Sequence, residues 1–313
     1  MQRVPPKSRM ATLIAALAPN EGLQPTAVPG VEVARTSESA ERKPLVYEPM
    51  ILFLGQGSKR AHLGDDVVAY GPDRYLALSV PIPVACEMFA TPAEPLLALK
   101  LKVEPELLAE LLINMDEPTH GNGTVPRGIY ASPLGAELKD AVIRLLECLR
   151  SPLESRILGR QIVREIVFRV LRDEPGGALR ALATRNDQFM RIVRVVQEMH
   201  RDFAEVVAIE DLAERANMSV STFHQHFKAV TATSPLQYLK SIRLHQARLL
   251  MVHGSHNAST AALAVGYESA SQFGREFKRM FGTSPAEEAA AIRARLASGV
   301  VAGGDRWIAD AAG

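Results

Sequence analysis

The chain has 313 residues, 47 % of them hydrophobic, a formal net charge of +1 and two cysteines, Cys86 and Cys148. That is enough apolar chain for two domains with separate cores, and too little cysteine for a disulfide framework or a zinc knuckle, as in a reducing cytosol. No run approaches the roughly 18 apolar residues of a membrane span.

Met10 to Ala18 follows Arg3, Lys7 and Arg9 and imitates a signal peptide with a small-x-small end. Thr12 interrupts the run, and Leu13, Ile14 and Leu17 suit one face of a short helix instead. Residues 1–30 read as an N-terminal extension.

From residue 31 to 103, short β-type runs alternate with turn residues. Val46-Tyr47 and Met50 to Leu54 end at Gly55-Gln56-Gly57-Ser58, and Lys59 to Leu63 ends at Gly64-Asp65-Asp66. Val67 to Tyr70, Tyr75 to Val80, Val84 to Ala90 and Leu96 to Val103 complete about seven strands, the pattern of a small cupin-like β-barrel. Its interior is expected on alternate residues, with Met50, Leu52, Leu54, Leu76, Leu78, Cys86 and Met88 as candidates for holding a small, weakly polar organic molecule. Cys86 has two readings: a thiolate that adds to an electrophile, or a small buried hydrophobe. A metalloenzyme of cupin type needs three or more converging ligands. The barrel offers only His62 beside Asp65 and Asp66, more simply a solvated hairpin end, so neither catalysis nor a metal or other cofactor is expected.

Helical runs follow at Leu107 to Met115, Leu134 to Leu149, Ile157 to Leu171 and Phe189 to Arg201. Leu138, Val142, Leu145 and Leu149, then Ile162, Ile166 and Val170, form stripes at helical spacing that predict pairing of two copies as a homodimer. The first domain thus spans 31–172 as barrel plus dimerisation helices, and Asp173-Glu174-Pro175-Gly176-Gly177 opens a linker over 173–187.

Residues 188–297 carry an internal duplication. Phe223, Phe227, Lys228, Thr233, Ser234 and Pro235 recur as Phe273, Phe277, Lys278, Thr283, Ser284 and Pro285. Each unit is a short helix, a turn at Asn217 or Gly266 that calls for left-handed backbone, and a second helix capped by Ser219 or Ser269. Ser269 with Gln272, Ser234 with Gln237 and Ser284 with Glu287 have capping-box spacing, with Pro235 and Pro285 at the first helical position. One helix, Leu236 to Val252, joins the units. Two helix-turn-helix units in tandem predict binding to double-stranded DNA, each second helix in a major groove. Burial of the phenylalanines leaves Ser221, His224 and Gln225, then Ala270, Ser271, Gln272 and Arg275, to read bases. Lys228, Lys278 and Arg279 are placed to meet phosphates. From Arg215 to Tyr267 no acidic residue occurs among Arg215, Lys228, Lys240, Arg243 and Arg248, a moderately positive strip. His224, His226, His245, His253 and His256 lie in the same run without a metal-binding spacing.

The last hundred residues resemble the DNA-binding domain of the AraC/XylS family of bacterial transcriptional regulators. The resemblance is carried by Leu212-Ala213, Met218-Ser219, Phe223, Phe227-Lys228, Ser234-Pro235, Tyr238, Arg243-Leu244 and Ala247-Arg248-Leu249-Leu250, then by Val265-Gly266-Tyr267, Ser271-Gln272-Phe273, Arg275-Glu276-Phe277-Lys278-Arg279, Phe281-Gly282 and Pro285. Asn217 stands where glycine is usual and Ala261 where isoleucine is usual. Val46-Tyr47-Glu48-Pro49, Gly55-Gln56-Gly57-Ser58-Lys59-Arg60, Leu63-Gly64-Asp65, Tyr75-Leu76 and Pro81-Ile82-Pro83 are similar to the N-terminal domain of one AraC-type subgroup, with Ser58 in place of the usual arginine. The resemblance implies an α+β multidomain protein: an effector-binding cupin-like β-barrel with flanking helices, and an all-α domain with two helix-turn-helix units over 188–297, followed by a tail over 298–313. It implies an effector-responsive activator in the cytoplasm, partnered by operator DNA, RNA polymerase, a small organic effector and a second copy. A metalloenzyme and an effector-independent architectural DNA-binding protein are the competing readings.

Overall fold

The structure, a computed structural model, describes residues 8–64, 66–115, 125–173, 177–183, 187–254 and 256–297. The N-terminal half opens with helix α1 (Arg9–Leu17) and then strands β1 (Gly22–Pro25), β2 (Val31–Thr36), β3 (Ala40–Tyr47), β4 (Met50–Gln56), β5 (Ser58–Leu63) and β6 (Asp66–Tyr70). Strands β7 (Arg74–Leu78), β8 (Ile82–Phe89) and β9 (Leu96–Lys102) follow, then helix α2 (Pro105–Asn114), strand β10 (Ile129–Pro133) and helices α3 (Ala136–Cys148), α4 (Pro152–Asp173) and α5 (Ala178–Ala183). The remainder is helical: α6 (Asp187–Arg201), α7 (Ile209–Arg215), α8 (Val220–Thr231), α9 (Pro235–His253), α10 (Ala258–Ala264), α11 (Ala270–Phe281) and α12 (Pro285–Ala297).

The strands form two antiparallel sheets, ordered β1-β2-β9-β4-β7-β10 and β3-β8-β5-β6. The expected barrel is therefore an open jelly-roll-like pair of sheets around one shared interior. Met50, Leu52, Leu54, Leu76 and Leu78 from the larger sheet meet Leu45, Val84, Cys86 and Met88 from the smaller one there. The outer face of the larger sheet bears Ile51, Phe53, Tyr75, Leu97 and Leu99, which α1, α2, α3 and α4 cover. Strand β4 is thus buried on both faces, which explains its uninterrupted Met-Ile-Leu-Phe-Leu run.

Three expectations change here. Residues 9–25 are not a separate extension: Met10, Leu13 and Ile14 are buried in the helix-covered core, and β1 extends the larger sheet. Within the expected linker, α5 is seated, with Ala178 and Leu179 buried, while 174–176 and 184–186 lie outside the described residues. The expected tail, 298–313, lies outside them too. The stripe of Leu138, Val142, Leu145 and Leu149, with Ile166 and Val170, faces this same core rather than solvent. The large apolar residues that α4 leaves exposed are Leu153, Ile157 and Leu158.

The two halves do not have independent cores. Phe223, Phe227, Val230 and Tyr238 of the first helix-turn-helix unit belong to the same hydrophobic cluster as the interior of the two sheets. The second unit has its own, built from Leu244, Met251, Ala261, Val265, Phe273, Phe277 and Ile292. The junction is also hydrogen-bonded: Gly128 N donates to Val230 O at 2.9 Å, and Tyr238 Oη donates to Pro81 O at 2.7 Å. Any side chain at residue 128 would collide, since a Cβ there falls 2.6 Å from Val80 and 2.8 Å from the Val230 carbonyl.

Candidate nucleic-acid interface and interior cavity

Each recognition-type helix is fixed by local chemistry. Asn217 and Gly266 adopt left-handed backbone at φ 51° and 81°. The second turn needs glycine for a further reason: a Cβ would sit 2.2 Å from the Ala204 carbonyl oxygen. Ser219 Oγ accepts from Thr222 N and Ser269 Oγ from Gln272 N, both at 3.3 Å, so α8 and α11 are N-capped. At their other ends Ala232 and Gly282 take left-handed caps. The Ser284–Glu287 pair makes both bonds of a capping box, Ser284 N to Glu287 Oε2 at 3.0 Å and Glu287 N to Ser284 Oγ at 3.4 Å.

Phe223, Phe227, Phe273 and Phe277 are buried, which orients the opposite faces outward. Ser221, His224, Gln225 and Lys228 are exposed on α8, and Ala270, Ser271, Gln272, Arg275, Lys278 and Arg279 on α11. Helix α9, about 28 Å long at about 1.5 Å per residue, separates the two units.

The positive strip read from the sequence does not survive folding as a strip. Arg243 turns inward and donates to the carbonyl oxygens of Phe203, Gly266 and Glu205 at 2.7, 3.1 and 2.7 Å. Arg248 is buried and pairs with Glu288 at 2.8 Å, bolting α9 to α12. Arg215 lies 3.6 Å from Glu198, and Lys240 donates to Glu276 at 2.9 Å. Of the five, Lys228 alone remains exposed with no ion pair found for it among the described residues.

Glu276 is the residue that sequence reasoning passed over. It lies on α11 facing α9 and accepts from Lys240 Nζ, from Tyr267 Oη at 2.8 Å and from Gln272 Nε2 at 3.2 Å. Burial pushes its carboxyl group up, but the bonds from Lys240, Tyr267 and Gln272 outweigh that and hold it below the ordinary range. Burial and the same carboxylate push the Tyr267 hydroxyl well up. The expected second half of the Ser269–Gln272 capping box is accordingly absent, because the Gln272 amide is turned to Glu276. The four-residue spacing of Gln272 and Glu276 was the available signal.

Between the sheets lies a cavity of about 140 Å³ whose walls include Met50, Leu52 and Met88 of the expected set. Leu54, Leu76, Leu78 and Cys86 are buried in the same interior away from its walls. Polar groups missed in the sequence join it: Glu48, Lys59, Lys100 and Tyr47. Burial raises the Glu48 carboxyl, opposed by Lys100 and Lys102. Cys86 Sγ lies 3.1 Å from Tyr47 Oη, which is 3.2 Å from Tyr70 Oη, so the thiol sits in a closed polar trio. His62 does not join Asp66; it lies on the outer face of the smaller sheet, with Nε2 3.1 Å from Glu87 and Nδ1 3.0 Å from Arg42.

Residues 27–178 match the family of AraC-type transcriptional regulator N-termini, and residues 212–290 match a helix-turn-helix domain family. Among curated relatives, the HTH-type transcriptional activator RhaS of Escherichia fergusonii is 28 % identical over 147 residues, which are 41 % of this chain and 53 % of that protein. RhaS of Salmonella schwarzengrund is 35 % identical over 103 residues, 33 % of this chain and 36 % of that protein. The chain thus spans about half or less of the length of these relatives. Among solved structures, a ligand-free ToxT variant from Vibrio cholerae superposes with a TM-score of 0.55 at 12 % identity, covering 86 % of this chain and 98 % of that one. Wild-type ToxT with a bound unsaturated fatty acid gives 0.53 at 13 % identity, covering 83 % and 94 %. At such identity the likeness is one of fold.

Proposed function

The chain belongs to the AraC-type transcriptional regulators, and from that premise we propose that it is a sequence-specific DNA-binding activator controlled by a small organic effector. The observation that carries this reading is the pair of capped, outward-facing helices α8 and α11 on one connecting helix. In it, Ser221, His224 and Gln225, with Ala270, Ser271, Gln272 and Arg275, face base edges, while Lys228, Lys278 and Arg279 contact phosphates. Activation is taken from the RhaS relatives, named as transcriptional activators. Selection of bound duplexes from random sequence by the intact chain tests it: a two-part site is expected, its halves about one helical turn apart. Enrichment of no sequence would sink the reading. Two copies pairing through Leu153, Ile157 and Leu158 of α4 would enrich that two-part site as a repeat.

The effector is assigned to the cavity between the sheets. A cavity of about 150 Å³ takes a molecule of benzene's bulk, so the ligand is small, mostly apolar, and polar at the end near Glu48 and Lys100. Members of a panel of such compounds should raise the melting temperature of the intact chain, and Ala98→Leu, which fills the cavity, should remove the rise. A panel without any such shift, or a shift that persists in Ala98→Leu, counts against this site.

A further inference from the structure

Gln272 is exposed near the N-terminus of α11, where a helix entering a major groove meets base edges. A glutamine amide is ambiguous as a reader, because it presents a carbonyl acceptor at one end and an NH₂ donor at the other. Here one turn of helix removes the ambiguity. Glu276 Oε1 receives Gln272 Nε2 at 3.2 Å and Lys240 Nζ at 2.9 Å, while Oε2 receives Tyr267 Oη at 2.8 Å. An ionised carboxylate only accepts, so only the NH₂ end of Gln272 can face it. The carbonyl oxygen and the second N–H are then turned outward together.

We propose that Glu276 is a positioning residue that fixes the orientation of the Gln272 amide and so makes this helix read adenine rather than guanine at one operator position. Adenine offers the matching pair, an N6 donor beside the N7 acceptor, whereas guanine offers acceptors at both O6 and N7. The first unit has no such device: Thr222 and His226 hold the equivalent places, and Ser219 Oγ donates to Thr222 Oγ1 at 2.8 Å. The assignment rests on the DNA-reading role of α11 proposed above.

The experiment profiles base preference with the intact chain on selected duplexes substituted singly at every position. Gln272→Ala identifies the position that Gln272 reads. There the unsubstituted chain should prefer adenine over guanine by about tenfold. Glu276→Gln, whose amide can pair with either end of Gln272, should bring that ratio close to one and leave preferences at other positions unchanged. Lys240→Met removes a partner of Glu276 but keeps its carboxylate, so the preference should persist. A guanine preference at the Gln272 position, or an unchanged ratio in Glu276→Gln, overturns the assignment alone. Absence of any selected sequence with the unsubstituted chain overturns the DNA-reading premise and the assignment with it. Should Glu276→Gln fold or bind poorly, the side-chain NH₂ resonances of Gln272, identified by their loss in Gln272→Ala, decide. At neutral pH they should lie away from the positions of a free glutamine amide and exchange more slowly with solvent, and a pair with the shifts and exchange of a free amide overturns the proposal.

Discussion

Acidification from neutrality to about pH 4 should cost this chain roughly 3–6 kcal/mol of folding stability, with the loss setting in near pH 6.5, ahead of the carboxylates. The cause is two histidines on the connecting framework of the helical half. Burial pushes His200 from 6.5 down to about 4. Burial, aided by Arg248 and His200, pushes His245 down to about 3. Both values are depressed, so as pH falls the unfolded chain takes up these protons before the folded one. Their contribution is complete above 6.5, drains between 6.5 and about 4 for His200, and continues toward about 3 for His245. His200 Nε2 lies 2.8 Å from Tyr238 Oη; because that hydroxyl donates to Pro81 O, Nε2 is the donor in this pair and the acid proton is taken up at Nδ1. Urea unfolding at stepped pH provides the measurement, and His245→Phe, which keeps the edge-on aromatic contact with Phe281, should flatten the decline by about half. A curve that stays level until pH drops below about 5 would show that carboxylates, not these histidines, control acid stability.

Replacing Arg275 by alanine should weaken binding to the selected operator by about tenfold to a hundredfold, the worth of a bidentate contact to guanine O6 and N7. Arg275 is exposed on α11, on the side opposite Phe273 and Phe277. Its loss should change affinity for scrambled DNA far less, because no phosphate contact is asked of it. Lys228→Ala is the counterpart. Its ammonium, exposed on the last turn of α8, should act on phosphate alone. That variant should lose affinity for operator and scrambled DNA equally, and the slope of log affinity against log salt should flatten by about 0.9. Fluorescence anisotropy on both duplexes over a salt series measures both variants. If Arg275→Ala lowers the two affinities by one common factor, α11 does not read bases through this residue.

Local order in this chain was legible from the residues themselves. The duplication, the serine caps, the left-handed turns at Asn217 and Gly266, and the burial of four phenylalanines each depend on neighbours within about a turn or two of helix. The turn-bounded strands of the N-terminal half were visible for the same reason. Three strands were not: β1 and β10, sheet-edge strands that are short and proline-ended, and β2 beside β1.

What the sequence alone determined, then, is the architecture: a sheet-rich half, tandem helix-turn-helix units and the outward face of each second helix. Tertiary structure decided which polar groups remain available on that architecture. Lys240 meets Glu276 across 36 residues, Arg243 meets carbonyls up to 40 residues away, and Tyr238 reaches Pro81 across 157. It also merged the first unit with the interior of the two sheets into one core, so that the segment read as a linker leads into a packed junction. The physical reason is range: capping, periodicity and backbone sign are fixed by residues a few positions apart, whereas the partner of a buried charge or hydroxyl is chosen by desolvation, which is known only once distant segments have closed around it.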